Sequence, residues 1–163
     1  MAESITIGII AAKTKIDNPW IDHRWSVGGV VTDVPPVAPY TLLRSDGATD
    51  FIFVGTAELP LHAAETAHYR DNLAADPKIW VVLRPHDGHG IELVAATCDP
   101  YEGEAFAETI GDIVEPVAMP EIIEARLRQF YEANHVEREF FKRKRKNFDP
   151  EALGRRNFSK GER

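Results

Sequence analysis

His62, Glu65, Tyr69 and Asn72 recur at i, i+3, i+7 and i+10. On a helix that spacing lines one face. Imidazole, carboxylate, phenol and carboxamide in a row can relay protons or hydrogen-bond a small ligand, above all if Arg24 meets them in a cleft. The plainer alternative is a solvated helix face with a local His–Glu contact, for no nucleophile accompanies the stripe. Cys98 precedes Asp99-Pro100, a helix start that would lower a thiol pKa, yet no neighbour in sequence supplies a base, so a small packed residue is the better reading. His86-x-x-His89 has a spacing that can ligate a metal, but Asp87 is the one carboxylate beside it. We expect solvated turn histidines there and no metal.

Two tryptophans flank a His-Arg pair in Asn18-Pro19-Trp20-Ile21-Asp22-His23-Arg24-Trp25. Tryptophan offers large contact area at little rotamer cost, and Arg24 can stack on an indole or fork onto a carboxylate or phosphate. Trp20, Arg24 and Trp25 are therefore candidates for an interaction surface. The alternative buries Trp25 in the core and pairs Arg24 internally.

The end of the chain inverts the charge of the rest. Residues 137–163 hold ten Lys/Arg against five Asp/Glu, a net of +5, whereas residues 1–136 hold nine against twenty-one, a net of −12. Lys142, Arg143, Lys144, Arg145 and Lys146 run unbroken after Phe140 and Phe141. Such segments usually contact something anionic, whether nucleic acid, a membrane surface or an acidic protein. With His135 it reads as a helix that docks on a protein while its cations steer the encounter. Nucleic-acid binding through phosphates and stacking is a weaker alternative, and a solvated tail the plain one.

These residues need elements to position them. Strands are expected over 4–12, 24–34, 40–44, 50–58, 78–84 and 91–97, with Gly28-Gly29 marking a bulge or close approach in the second. Lys78 to Arg84 is the most apolar strand and is expected at the centre of the sheet. The prolines at 35, 36 and 39 exclude a central strand there. Leu61 to Leu73 turns helical, and Asp99-Pro100-x-Glu102 opens a short helix with Asp99 as its cap. Pro116 to Pro120 reads as a linker into a second good helix, with Ile123, Leu127, Phe130 and Tyr131 on one stripe. That helix either runs on through the cations or breaks at Asn134-His135. Hairpin spacings dominate, so the expected class is α+β: one domain over 1–136 with a largely antiparallel sheet of about six strands, then a basic helical extension and frayed tail over 137–163.

The 163 residues are enough for one core without disulfide or metal, and one cysteine excludes an intrachain disulfide. No apolar run approaches the ~20 residues of a transmembrane helix. The acidic start argues against a secretory signal, so a cytoplasmic location is expected. The chain lacks a phosphate-binding G-x-x-x-x-G-K-[ST] loop, G-x-G-x-x-G, G-x-S-x-G and H-E-x-x-H. No cofactor is required by any motif.

Several ordered strings carry a resemblance. They are Asp17-Asn18-Pro19-Trp20 with His23-Arg24-Trp25, Tyr69 to Leu73, Ile79 to Arg84, Pro100-Tyr101-Glu102, Val114 to Pro120, Phe130 to Glu137, and Phe141 to Arg145. Over residues 5–146 the chain resembles a bacterial family of unknown function, number three-three-zero-five in the domain-of-unknown-function series. The resemblance implies a gene context beside molybdenum formate dehydrogenase and its accessory proteins. It carries over no catalytic residue. A molybdopterin-nucleotide transferase does not fit, because Ile7 to Lys13 supplies neither the glycine-rich opening loop nor the basic motif after it. The implied function is a non-enzymatic accessory protein that binds formate dehydrogenase or a maturation partner during assembly or cofactor insertion. Trp20, Arg24, Trp25, Tyr69, Tyr101 and the helix from Pro120 to Lys146 would form the contact surface. The alternative is a small enzyme or a protein that binds a molybdopterin nucleotide, with the stripe His62, Glu65, Tyr69 and Asn72 in the cleft and Arg24, Arg84 and the tail on the phosphates.

Overall fold

A computed structural model describes residues 2–136. The expected basic extension, with Phe140, Phe141 and the Lys142–Lys146 run, lies outside the described residues. Seven strands and three α-helices follow in the order β1 (Ala2–Lys15), β2 (His23–Val31), β3 (Thr41–Ser45), β4 (Thr49–His62), α1 (Thr66–Leu73), β5 (Lys78–His86), β6 (Gly90–Thr97), α2 (Pro100–Phe106), β7 (Ile113–Ala118) and α3 (Glu121–Asn134). The class is α+β, and every strand pairing is antiparallel.

The strands form two sheets rather than one, ordered β2-β1-β4-β3 and β6-β5-β7. β4 also lies against β6 and β2 against β7, so the two sheets meet along both sides. Alternation fills the space between them. Ile5, Ile7, Ile9 and Ala11 of β1, Leu59 and Leu61 of β4, Ile79, Val81 and Leu83 of β5 and Ile91 of β6 share one buried cluster with Tyr69, Leu73, Ile123, Leu127 and Phe130 from the helices. Of the helical stripe expected at 123, 127, 130 and 131, the first three are the core-facing side of α3, whereas Tyr131 is half-buried and stacks on His135.

β5 is central in its sheet, as its apolar run requires. Val82 on its other face is also fully buried, and Gly103 of α2 lies against Trp80 there. Gly28 is the unpaired residue of a bulge, for Ile10 faces Gly29 while Ala11 faces Val27. A Cβ at Gly28 would come within 3.2 Å of the Ile10 carbonyl oxygen, which is why this position takes glycine.

Two expected boundaries shift. Residues 61 and 62 stay in β4, because Leu61 is paired with Glu3 and fully buried; a 3₁₀ turn over Ala63–Glu65 follows, and α1 starts at Thr66. Tertiary pairing overrides the alanine-rich local preference there. The expected linker at 116–120 is in part β7, with Pro116 opposite Trp80. β7 is an edge strand, so a residue without an N–H is tolerated. α3 ends at Asn134 and His135 is extended, so of the two alternatives the helix breaks there.

Candidate functional site

Among the described residues, the junction of α1 and α2 brings a set of ionisable side chains together. Asp99 builds it. Its Oδ1 accepts from the backbone N–H of Tyr101 (2.9 Å) and Glu102 (3.3 Å), capping α2, and Pro100 occupies the first helical turn. Its own N–H donates to Thr97 Oγ1, and the residue is 6% exposed. That leaves Oδ2 facing α1, where His68 Nδ1 stands 2.8 Å away. Glu65, one turn earlier, brings Oε2 to 2.9 Å from the same nitrogen. The Tyr101 ring lies 4.4 Å from the His68 ring, and its hydroxyl donates to Asp71 Oδ2 at 2.9 Å. The Asp99 hydrogen bond raises the His68 pKa above its ordinary value; desolvation opposes it, and Glu65 and Asp71 add to the rise. The same Asp71 bond raises the Tyr101 pKa.

The stripe expected to form a ligand cleft is divided among other tasks. Tyr69 is buried, and its hydroxyl accepts from His62 N–H at 2.9 Å and donates to the Pro60 carbonyl at 3.4 Å; burial pushes its pKa up to about 12. Asn72 is 5% exposed and makes three hydrogen bonds to backbone, two with Lys78 and one with Cys98. His62 is an exposed strand residue opposite Ala2, and Arg24 is an exposed one opposite Thr14. At about 3.3 Å per residue those two β1 positions stand on the order of 40 Å apart along the strand. The stripe and Arg24 therefore do not share a cleft. Arg84 forks onto Asp112, Nε to Oδ1 at 2.8 Å and Nη2 to Oδ2 at 3.0 Å, and its guanidinium holds the Asp112 carboxyl below its ordinary range.

The aromatic string also splits. Trp25 packs on the core, with Gly90 so close that a Cβ there would stand 2.9 Å from the indole; Gly90 also needs its φ of +87° to turn the hairpin. Lys13 lies over the same indole, 5.5 Å from its centroid. Trp20, in contrast, is 90% exposed beside the exposed Ile21, and Asn18 Oδ1 pins its backbone N–H at 2.8 Å. His135 holds Thr66 through Nδ1 at 3.0 Å and stacks on Tyr131. His86 Nδ1 accepts from the N–H of Gly88 and of His89, and the His89 ring stacks on Tyr40 at 3.8 Å. Nδ1 of His86 is thus spent on the turn, while His89 stacks across to Tyr40. Cys98 is fully buried, and burial, with Asp99 beside it, pushes its thiol up to about 12, so no thiolate forms at neutral pH.

Sequence reasoning did not single out His68, and it read Asp99 as a cap alone. The signal present was Glu65-x-x-His68, one helical turn. Among the described residues, a groove between α1 and α3 holds about 200 Å³ and one between α3 and Glu3 of β1 about 300 Å³, at or below the ~300–1,000 Å³ of small-molecule sites. Among the described residues no helix is long and apolar enough to cross a membrane.

The chain matches the family described as Protein of unknown function (DUF3305) over residues 6–145. It belongs to that family. No curated protein and no solved structure matches it significantly. The DUF3305 match takes in most of β1, every element from β2 to α3 and both halves of the α1–α2 junction.

Proposed function

We propose that this DUF3305 protein is a non-catalytic accessory factor that docks on a protein partner. The observation that carries the reading is Trp20, 90% exposed and next to exposed Ile21, on a turn fixed by Asn18. An indole held out in water by a structured turn costs little entropy to bury, which is what an interface anchor needs. The dispersal of His62, Tyr69, Asn72 and Arg24 speaks against a substrate cleft built from those residues. The partner proposed is formate dehydrogenase or one of its maturation proteins, the expectation carried by the family resemblance. Exposed Arg24 and Tyr101 and the cationic residues 142–146 are candidate further contacts.

The test is copurification from the native host with the full chain, a Trp20→Ala/Ile21→Ala variant and a chain ending at Val136. Formate dehydrogenase subunits or maturation proteins retained by the full chain and lost with the double variant would support the reading. Their absence from the full-chain sample, or equal retention by the double variant, would refute it.

A further inference from the structure

The α1–α2 junction presents more anionic oxygen than its imidazole can answer. Glu65 Oε2 and Asp99 Oδ2 approach one atom, His68 Nδ1, at 2.9 and 2.8 Å. A ring nitrogen carries one hydrogen, so it makes one well-aligned bond and leaves the second carboxylate with a shared one. Asp71 lies just beyond, joined to Tyr101. Asp99 is buried, its Oδ1 is committed to the α2 cap, and His68 is the side chain that answers Oδ2. Asp99 Oδ2 is thus answered by one imidazole nitrogen that Glu65 also approaches, and a cation placed among the three groups would meet both carboxylates and the ring nitrogen at once.

We infer that Glu65, His68 and Asp99 form a binding site for a divalent transition-metal ion, with Oε2, Nδ1 and Oδ2 as its protein donors. The three atoms lie within 4.8 Å of one another. Ligands about 2.0–2.2 Å from such an ion stand roughly 2.9–3.5 Å apart across tetrahedral or octahedral angles. The two N···O edges of 2.8 and 2.9 Å therefore need only a small expansion when an ion replaces the shared proton. One imidazole nitrogen with two carboxylate oxygens suits zinc, manganese, cobalt or iron(II), not copper(I), which wants sulfur, nor calcium, which wants oxygen alone.

The surrounding contacts hold the donors in place. Two backbone N–H groups fix the Asp99 carboxylate, and the Tyr101 ring covers His68 with its hydroxyl tied to Asp71. Outer contacts of this kind orient metal ligands. His68 and Glu65 keep side-chain exposures of 35% and 38%, so the remaining coordination positions face solvent. The site is open, as in metal centres that admit water or a further ligand. It does not rest on the docking reading, and uses no residue of the Trp20 turn.

The full chain, stripped with chelator, is titrated with Co(II), Zn(II) and Mn(II) at pH 7.5. Calorimetry reads stoichiometry, and cobalt absorption reads the ligand field. We expect one equivalent bound, with at least tenfold weaker affinity in His68→Ala and in Glu65→Gln. Asp99→Ser keeps a good helix cap while removing the ligand, so a folded Asp99→Ser chain that binds at least tenfold more weakly supports the site as well. His62→Ala and His86→Ala should bind as the parent does. No saturable binding below 1 mM (about −4 kcal/mol), or unchanged binding in His68→Ala and Glu65→Gln, would overturn the inference.

Discussion

Replacing Asn72 by alanine removes a tie that joins three elements. The Nδ2 group donates to the carbonyls of Lys78 and Cys98, each at 2.8 Å, and Oδ1 accepts from Lys78 N–H at 2.9 Å. Lys78 opens β5 and Cys98 follows β6, so the carboxamide sits at the end of α1 and continues the β5–β6 ladder past its last pair, Trp80 with Thr97. Each net hydrogen bond is worth about 1 kcal/mol, and a carbonyl left buried and unpaired costs about 1–3 kcal/mol more. With three bonds lost and the Cys98 carbonyl stranded, the loss comes to roughly 4–6 kcal/mol, a large share of the ~5–15 kcal/mol that holds a domain folded. At about 2 kcal/mol per molar in urea, the midpoint falls by roughly 2–3 M. Asn72→Asp should lose at least as much, since a carboxylate would face two carbonyl oxygens. Equilibrium urea unfolding followed by tryptophan fluorescence and circular dichroism measures both. A loss below ~1 kcal/mol for Asn72→Ala at unchanged slope would refute the argument and return Asn72 to the list of residues free to serve a ligand.

Gly103→Ala puts a Cβ 2.4 Å from Trp80 Cγ, at the rigid root of the indole. The gain in helix propensity, about 1 kcal/mol, is outweighed by overpacking of about 1–3 kcal/mol or more, so thermal unfolding should show net destabilisation. Cys98, with its thiol pushed up to about 12, should resist iodoacetamide and aromatic disulfides in the native protein at pH 8 and react fully only in denaturant. Asp112 is held below its ordinary value by Arg84, so its ion pair favours the fold above the unfolded carboxyl pKa and is lost as pH falls through the lower folded value. The stability gap between the parent and Asp112→Asn should therefore be full near neutrality and shrink below about pH 3.8, read by urea unfolding across pH.

The strands were legible where their pattern alternates: Ile5, Ile7, Ile9 and Ala11 of β1 are buried on one face, although Gly8 and Ala12 beside them are buried as well. β5 announced its central place by an apolar run on both faces. The Asp99 cap and the α3 stripe were legible because both are local, written within four to eight residues. What failed was non-local. Nothing near Pro116 says that a β5 edge is waiting for it, and nothing near Leu61 says that Glu3 will pair with it. Division of the strands into two sheets depends on how β4 and β6 meet, a contact between segments about thirty residues apart.

The α1–α2 junction was missed for the same reason. His68 and Asp99 stand thirty-one residues apart, and each has a complete local explanation: an exposed helical histidine, and a helix cap. A cap consumes one carboxylate oxygen and leaves the other with a fixed direction. Where that second oxygen meets an imidazole already approached by another carboxylate, a local device becomes part of a shared one. The polar residues that looked functional by spacing, Tyr69 and Asn72, instead satisfy buried backbone, since a helix wedged against strand ends must answer their unpaired N–H and C=O groups. Along α1 the side that meets the sheet thus takes structural polar residues, while Glu65 and His68, less deeply set, keep their donor atoms within reach of solvent.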